Sequence, residues 1–159
     1  RGYNTRQFWE AVCRIRAAWP NAAFTTDVIV GFPGETEEEF SQTLAFCEKV
    51  GFARLHVFPF SPREGTPAAV MEEQIPEAVK AERVRRLIAL GDELAKRYHE
   101  RFLGAEADVL LEERQPDGSV MGYTPEYIHV RVSSGEPGSL VRVRLDGLTQ
   151  EGMHGTVVE

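Results

Sequence analysis

Apolar positions change period along this chain. Phe8, Ala11, Val12, Ile15 and Trp19 recur at three- and four-residue spacing, which predicts a helix turning these side chains to a core. Asn4 followed by Gln7 has capping-box spacing at its start, and Pro20 stops it. Residues 24–31 are rich in Thr, Val and Ile. Their central Val28-Ile29-Val30 lacks polar alternation, the pattern of a strand buried on both faces of a parallel sheet. Gly31-Phe32-Pro33-Gly34 then turns the chain into a second helix capped by Thr36 and Glu39, with Glu37, Glu38 and Glu39 where the macrodipole favours negative charge. Phe40, Thr43, Leu44, Cys47 and Val50 are its buried stripe and Gly51 its C-terminal cap. Residues 53–60 read as another strand. Alternating helix and strand is α/β grammar, and two parallel strands do not make a stable sheet alone. The segment therefore reads as a portion of a larger α/β barrel or open sheet.

Val84, Leu87, Ile88, Leu94, Tyr98 and Phe102 predict a long helix from residue 76 to about 102, ended by Gly104. After Gly104 the period falls to two. Runs at 107–113, 120–122, 127–132, 140–145 and 155–158, separated by Asp117-Gly118, Gly135-Glu136-Pro137-Gly138 and Asp146-Gly147, predict a small antiparallel five-stranded barrel of OB-like size. The expected organisation is α/β over residues 1–75, a linker helix over 76–103 and a β-barrel over 104–159.

Composition narrows the classes. The chain is 42% hydrophobic and 27% charged, which excludes global disorder. Acidic residues exceed basic ones by 25 to 18, giving a net charge of -7; this argues against a simple basic nucleic-acid binder while leaving room for a local basic face. No stretch approaches the roughly 18 uninterrupted apolar residues of a membrane span, so no membrane partner is expected. No charged-then-apolar leader is visible either. Cys13 and Cys47 are too few for a disulfide framework or metal knuckle and read as small buried hydrophobes of a reduced, cytoplasmic protein. A first residue of Arg1 rather than Met leads to the expectation of a piece of something longer.

Candidate chemistry gathers at strand ends. The Gly31-Phe32-Pro33-Gly34-Glu35-Thr36 turn stands where α/β proteins bind ligands, and plain turn chemistry also accounts for each of its residues. Asp27 either aims at a pocket or is satisfied by neighbouring amides, and His56 reads as a satisfied strand residue rather than a ligand. Arg63 either holds a carboxylate or phosphate or pairs with Glu64. In the barrel, Ile128, Val130 and Val132 point one way, so His129 and Arg131 point the other; Val141, Val143 and Leu145 likewise oppose Arg142 and Arg144. If those strands pair, a basic patch results, with Tyr123 and Tyr127 at its edge for base stacking. The other reading is a solvated face neutralised by Glu112, Glu113 or Asp146.

Two stretches then resemble a known family. Thr26-Asp27-Val28-Ile29-Val30-Gly31-Phe32-Pro33-Gly34-Glu35-Thr36 and Phe58-Pro59-Phe60-Ser61-Pro62-Arg63-Glu64-Gly65-Thr66-Pro67-Ala68 resemble the later half of the radical S-adenosylmethionine domain of tRNA methylthiotransferases. Residues 104–159 resemble the TRAM domain with which these enzymes hold tRNA. Gly122-Tyr123-Thr124-Pro125-Glu126-Tyr127 is most similar to the subgroup acting on threonylcarbamoyladenosine beside the anticodon. The resemblance covers essentially the whole chain and is carried by the combination of motifs more than by the Gly-Phe-Pro-Gly-Glu-Thr turn, which several radical enzymes share. It implies part of a TIM-like barrel followed by a TRAM barrel. The implied parent enzyme methylthiolates a tRNA adenosine derivative through a 5′-deoxyadenosyl radical, using S-adenosylmethionine and [4Fe-4S] clusters. It also implies that Val30, Gly31, Phe32 and Pro33, with Phe58, Pro59 and Phe60, form one wall of the S-adenosylmethionine pocket, and that Arg63 contacts cofactor or RNA. Tyr123, Tyr127, Arg131, Arg142 and Arg144 are the implied tRNA contacts.

Family members hold their cluster with a Cys-x-x-x-Cys-x-x-Cys motif and carry further cysteines in an N-terminal domain. This chain has neither, so no catalytic or metal-binding residue is expected in it, and it reads as an inactive C-terminal fragment. Its open sheet edge leads to the expectation of self-association. The alternatives are a ribosomal-protein methylthiotransferase, whose TRAM-like tail recognises a protein loop, and a stand-alone RNA-binding module.

Overall fold

The computed structural model describes residues 2–158, which divide into two compact units, one of residues 2–20 and 24–95 and the other of 21–23 and 96–158. In the first, the Gln7 amide donates to Asn4 Oδ1 (3.0 Å) and the Asn4 amide to Gln7 Oε1 (2.9 Å), and α1 (Thr5–Ala18) follows. Thr36 and Glu39 cap α2 (Glu37–Val50) in the same reciprocal way, and Gly51 ends it in the left-handed region at φ 62°. Arg16 of α1 donates from Nη2 to the carbonyls of Val50 (2.5 Å) and Gly51 (3.1 Å), closing a helix end whose carbonyls lack partners of their own.

β1 (Thr25–Val30) and β2 (Arg54–Pro59) pair in parallel, Val28 opposite Val57. Val12, Val30, Phe40, Cys47, Val50 and Phe52 form the core with Leu87 and Leu94 of α3 (Glu77–Glu100). Gly91 lets α3 approach β2, because a Cβ there would stand 3.3 Å from the Leu55 Cβ.

Three expectations are corrected in this unit. Ile15 and Trp19 are exposed, since the buried stripe of α1 narrows to Val12. Cys13 is exposed as well, one residue round the helix from Val12, whereas Cys47 is buried and its thiol is pushed up to about 11 by that burial. The strands are not covered on both faces. Val28, Leu55 and Val57 pack on the core, while Thr25, Asp27 and Ile29 of β1 and Arg54, His56 and Phe58 of β2 are exposed. Missing polar alternation marked Ile29 as apolar, and it stands in solvent because the core lies on the opposite side of the sheet.

In the second unit the end of α3 brings Tyr98 and Phe102 into a buried edge-to-face pair, ring centres 5.3 Å apart. The Tyr98 hydroxyl donates to the Asn21 carbonyl (2.8 Å), and burial pushes its pKa up to about 12. Five strands follow: β3 (Glu106–Arg114), β4 (Val120–Tyr123), β5 (His129–Val132), β6 (Leu140–Leu148) and β7 (Met153–Val157), closed into a barrel in the order β3-β4-β5-β7-β6. Val109, Leu111, Val120, Val130, Val143 and Leu145 fill it by strict alternation.

The barrel is mixed, not antiparallel as expected. β5 and β7 run parallel, Val130 opposite Met153, while every other neighbouring pair is antiparallel. Parity requires this: strand direction cannot alternate around a closed ring with an odd number of members. Gly122 admits the tight β3–β4 approach, since a Cβ on it would stand 2.2 Å from the Leu110 carbonyl oxygen.

Candidate nucleic-acid interface

The turn after β1 rests on two buried cations. Gly31 takes φ 74°, and a Cβ on it would stand 2.3 Å from Lys80 Cγ, so the lysine stem fills the space a side chain would need. Lys80, 5% exposed, donates from Nζ to the Phe60 carbonyl (3.1 Å) and pairs with Glu77 (2.5 Å). Arg83, 4% exposed, donates from Nη1 to Glu35 Oε1 (2.6 Å) and to the Glu35 carbonyl (3.0 Å). The same Glu35 Oε1 accepts the Gly31 amide (3.0 Å), which ties both ends of the turn to one carboxylate. Arg83 Nε is buried without a hydrogen bond, with Glu37 Oε2 at 3.6 Å. Sequence reasoning missed Lys80 and Arg83 by reading residues 76–103 as a linker helix whose buried side is purely apolar. The signal was their phase: Lys80, Arg83, Leu87, Gly91, Leu94 and Tyr98 form one series of buried positions at helical spacing.

Among the residues expected to line a cofactor wall, Val30, Gly31 and Pro33 are enclosed, Phe60 is half-buried, and Phe32, Phe58, Pro59 and Arg63 are exposed. Phe32 and Phe60 meet edge to face at 5.2 Å. Apart from Arg63 these accessible groups are apolar and mostly aromatic, of the kind that lies against an adenine ring, and so suit one wall of an S-adenosylmethionine site. Asp27 and His56 stand opposite each other on the exposed sheet face. A [4Fe-4S] cluster does not fit the residues present. It needs converging thiolates; Cys13 is exposed, Cys47 is a buried thiol, and among the described residues no three His, Cys, Asp or Glu side chains group as metal ligands.

On the barrel, β5 and β6 do not pair. β7 lies between them, with Arg131 opposite His154 and Arg144 opposite Thr156. The arginines do project outward, and each is committed to carboxylates. Arg131 donates to Asp117 from Nη2 and to Ser119 Oγ from Nε (2.9 Å). Arg142 holds Asp108 (2.9 Å) and Glu106 (3.5 Å), and Arg144 holds Asp146 (2.7 Å). Of the acids named as neutralising partners, only Asp146 is used among the described residues; Glu106 and Asp108 on neighbouring β3 and Asp117 in the turn between β3 and β4 supply the rest. The Ser119 hydroxyl, more than the Arg131 charge, holds Asp117 below the usual carboxylate range. The Thr156 hydroxyl (2.6 Å) and then Arg144 do the same for Asp146. Asp108 in turn raises the Arg142 guanidinium pKa.

Beside these pairs the 124–128 loop is built to present one ring. The buried Thr124 Oγ1 accepts the amides of Glu126 (3.2 Å) and Ile128 (3.3 Å), and the Tyr127 amide donates to the Thr124 carbonyl (2.9 Å). Tyr127 takes φ 60°, the one positive φ of a described residue other than glycine, a conformation costing roughly 1–2 kcal/mol for an L-residue. Its side chain nonetheless stands 82% exposed. Tyr123 stacks on His129, ring centres 4.8 Å apart at 20°, and lies 6.4 Å from Tyr127. Asp108, Leu110, Glu112, Tyr123, Thr124 and Tyr127 are among the residues lining a groove of about 450 Å³.

No family model matches the chain. It is 44% identical over 151 residues to the threonylcarbamoyladenosine tRNA methylthiotransferase MtaB of Bacillus subtilis, covering 91% of this chain and 34% of that protein. MtaB of Thermotoga maritima is 40% identical over 96% of this chain and 35% of its own length. The tRNA-2-methylthio-N(6)-dimethylallyladenosine synthase of Acetivibrio thermocellus is 39% identical over 99% of this chain and 34% of its own. The chain thus belongs by sequence to the tRNA methylthiotransferases, and it spans about a third of the length of these relatives.

Proposed function

We propose that this chain is the tRNA-holding part of a methylthiotransferase acting on a tRNA adenosine derivative, N6-threonylcarbamoyladenosine beside the anticodon. Its 44% identity to a relative named for that nucleoside carries the reading. In it, Phe32, Phe58, Pro59, Phe60 and Arg63, with the backbone of Val30, Gly31 and Pro33, contribute one wall to an S-adenosylmethionine site. The bound cofactor and cluster supply the radical chemistry from the remainder of a longer cytoplasmic enzyme, so the chain alone is without activity. Arg131, Arg142 and Arg144 hold phosphates by exchanging their carboxylate partners, and Tyr123 and Tyr127 stack on bases.

The test is equilibrium binding of the chain to tRNA at several salt concentrations. Replacing Arg131, Arg142 and Arg144 with Glu is expected to weaken binding at least tenfold and flatten its dependence on salt, since each lost phosphate contact removes about one released counterion. Unchanged affinity and slope would show that this face is only a solvated surface.

A further inference from the structure

We propose that the groove beside Tyr127 holds one unpaired nucleobase and prefers the amino-bearing bases, cytosine, adenine and guanine, to uracil. This rests on the RNA-binding role given above and adds a base-selective site to it. Three observations converge. The first is the Tyr127 ring, held in solvent on a backbone conformation tyrosine disfavours, by a loop whose amides all bond within it. Strain retained around an exposed aromatic group signals use of that group. A planar base is the occupant that gains most from its face.

The second observation is the edge such a base would meet. Asp108 is occupied by Arg142, whereas the Glu112 carboxylate makes no hydrogen bond or ion pair among the described residues. An ionised carboxylate only accepts, so the edge facing it has to donate. Cytosine N4, adenine N6 and guanine N1 and N2 do so. Uracil presents O2 and O4 on either side of its single N–H, and these would face carboxylate lone pairs.

The third is the distribution of charge. No Lys or Arg lines the groove, and Arg142 stands just outside it, on Asp108. A nucleotide entering here is therefore drawn in by its base, with its phosphate left at the arginine rim. A lysine or arginine from a protein segment would also satisfy Glu112, but it would bring positive charge against Arg142 and leave most of the Tyr127 face uncovered.

The experiment measures binding of the whole chain to a short oligouridylate and to versions with one central cytidine, adenosine or guanosine. Each substitution is expected to tighten binding about fivefold or more. Glu112→Gln should reduce that preference to less than about twofold without weakening the oligouridylate, since an acceptor-only group becomes one that also donates. Tyr127→Gly should weaken every oligomer about tenfold. Its melting temperature should be no lower than that of the parent, because glycine adopts the same φ freely. Equal affinity for all four oligomers, or indifference to Tyr127→Gly, would overturn the site while tRNA binding through the arginines still stood. A Lys- and Arg-rich peptide that bound in a Tyr127-dependent manner and competed with every oligomer equally would overturn it in favour of a protein partner. Absence of any RNA binding would overturn both readings together.

Discussion

Arg83 shows how much one side chain carries in this fold. Its guanidinium satisfies a carboxylate and a carbonyl of Glu35, and that carboxylate in turn accepts the Gly31 amide. Among the described residues, replacing Arg83 with Met removes the only cation bonded to a carboxylate that is itself 14% exposed, leaving a nearly buried charge. The expected loss is about 3 kcal/mol, read as a lower denaturation midpoint. Adding Glu35→Gln to the same variant should recover more than half of it, because a neutral amide costs less to leave beneath the turn. If the two losses simply added, the pair would not be coupled. At this scale the caps were legible, since Asn4 with Gln7 and Thr36 with Glu39 are local chemistry read within four residues. Lys80 and Arg83 were not, because the Phe60 and Glu35 carbonyls that hold them under the turn lie 20 and 48 residues away.

Among the elements, the barrel strands show both the reach and the limit of periodicity. Alternation pointed Arg131, Arg142 and Arg144 outward correctly, because side-chain direction in a strand depends only on the neighbouring residue. It was silent on which strands are adjacent, so β7 between β5 and β6, and the ion pairs with Asp117 and Asp108, came only from the structure. Gly122 belongs to this scale. Gly122→Ala places a methyl 2.2 Å from the Leu110 oxygen, and neither partner backbone has a free direction in which to retreat. The expected cost is about 3 kcal/mol, at the upper end for overpacking, seen as lower melting of the barrel signal. Gly118→Ala, with nothing near its Cβ but a φ of 87°, should cost less, and the reverse order would place backbone strain above crowding here.

For the molecule as a whole, the exposed sheet face has a solution consequence. Ile29 is 58% and Phe58 51% exposed on adjacent strands, and Phe32 follows at the strand end. Each strand also has an edge without a partner among the described residues. Light scattering should therefore show self-association that grows with concentration and falls in the double variant Ile29→Lys, Phe58→Ser; a strictly monomeric parent would sink the expectation. The closed barrel carries a different implication, one of timing. β7 follows the other four barrel strands in sequence and joins β5 to β6, so Met153–Val157 supply both missing seams at once. While the chain is being synthesised, β3 to β6 can only form an open curl, and each of these strands waits on Met153–Val157 to emerge. Ending the chain just before Met153 would thus remove β7 and leave two raw edges, open to proteases and to neighbouring chains.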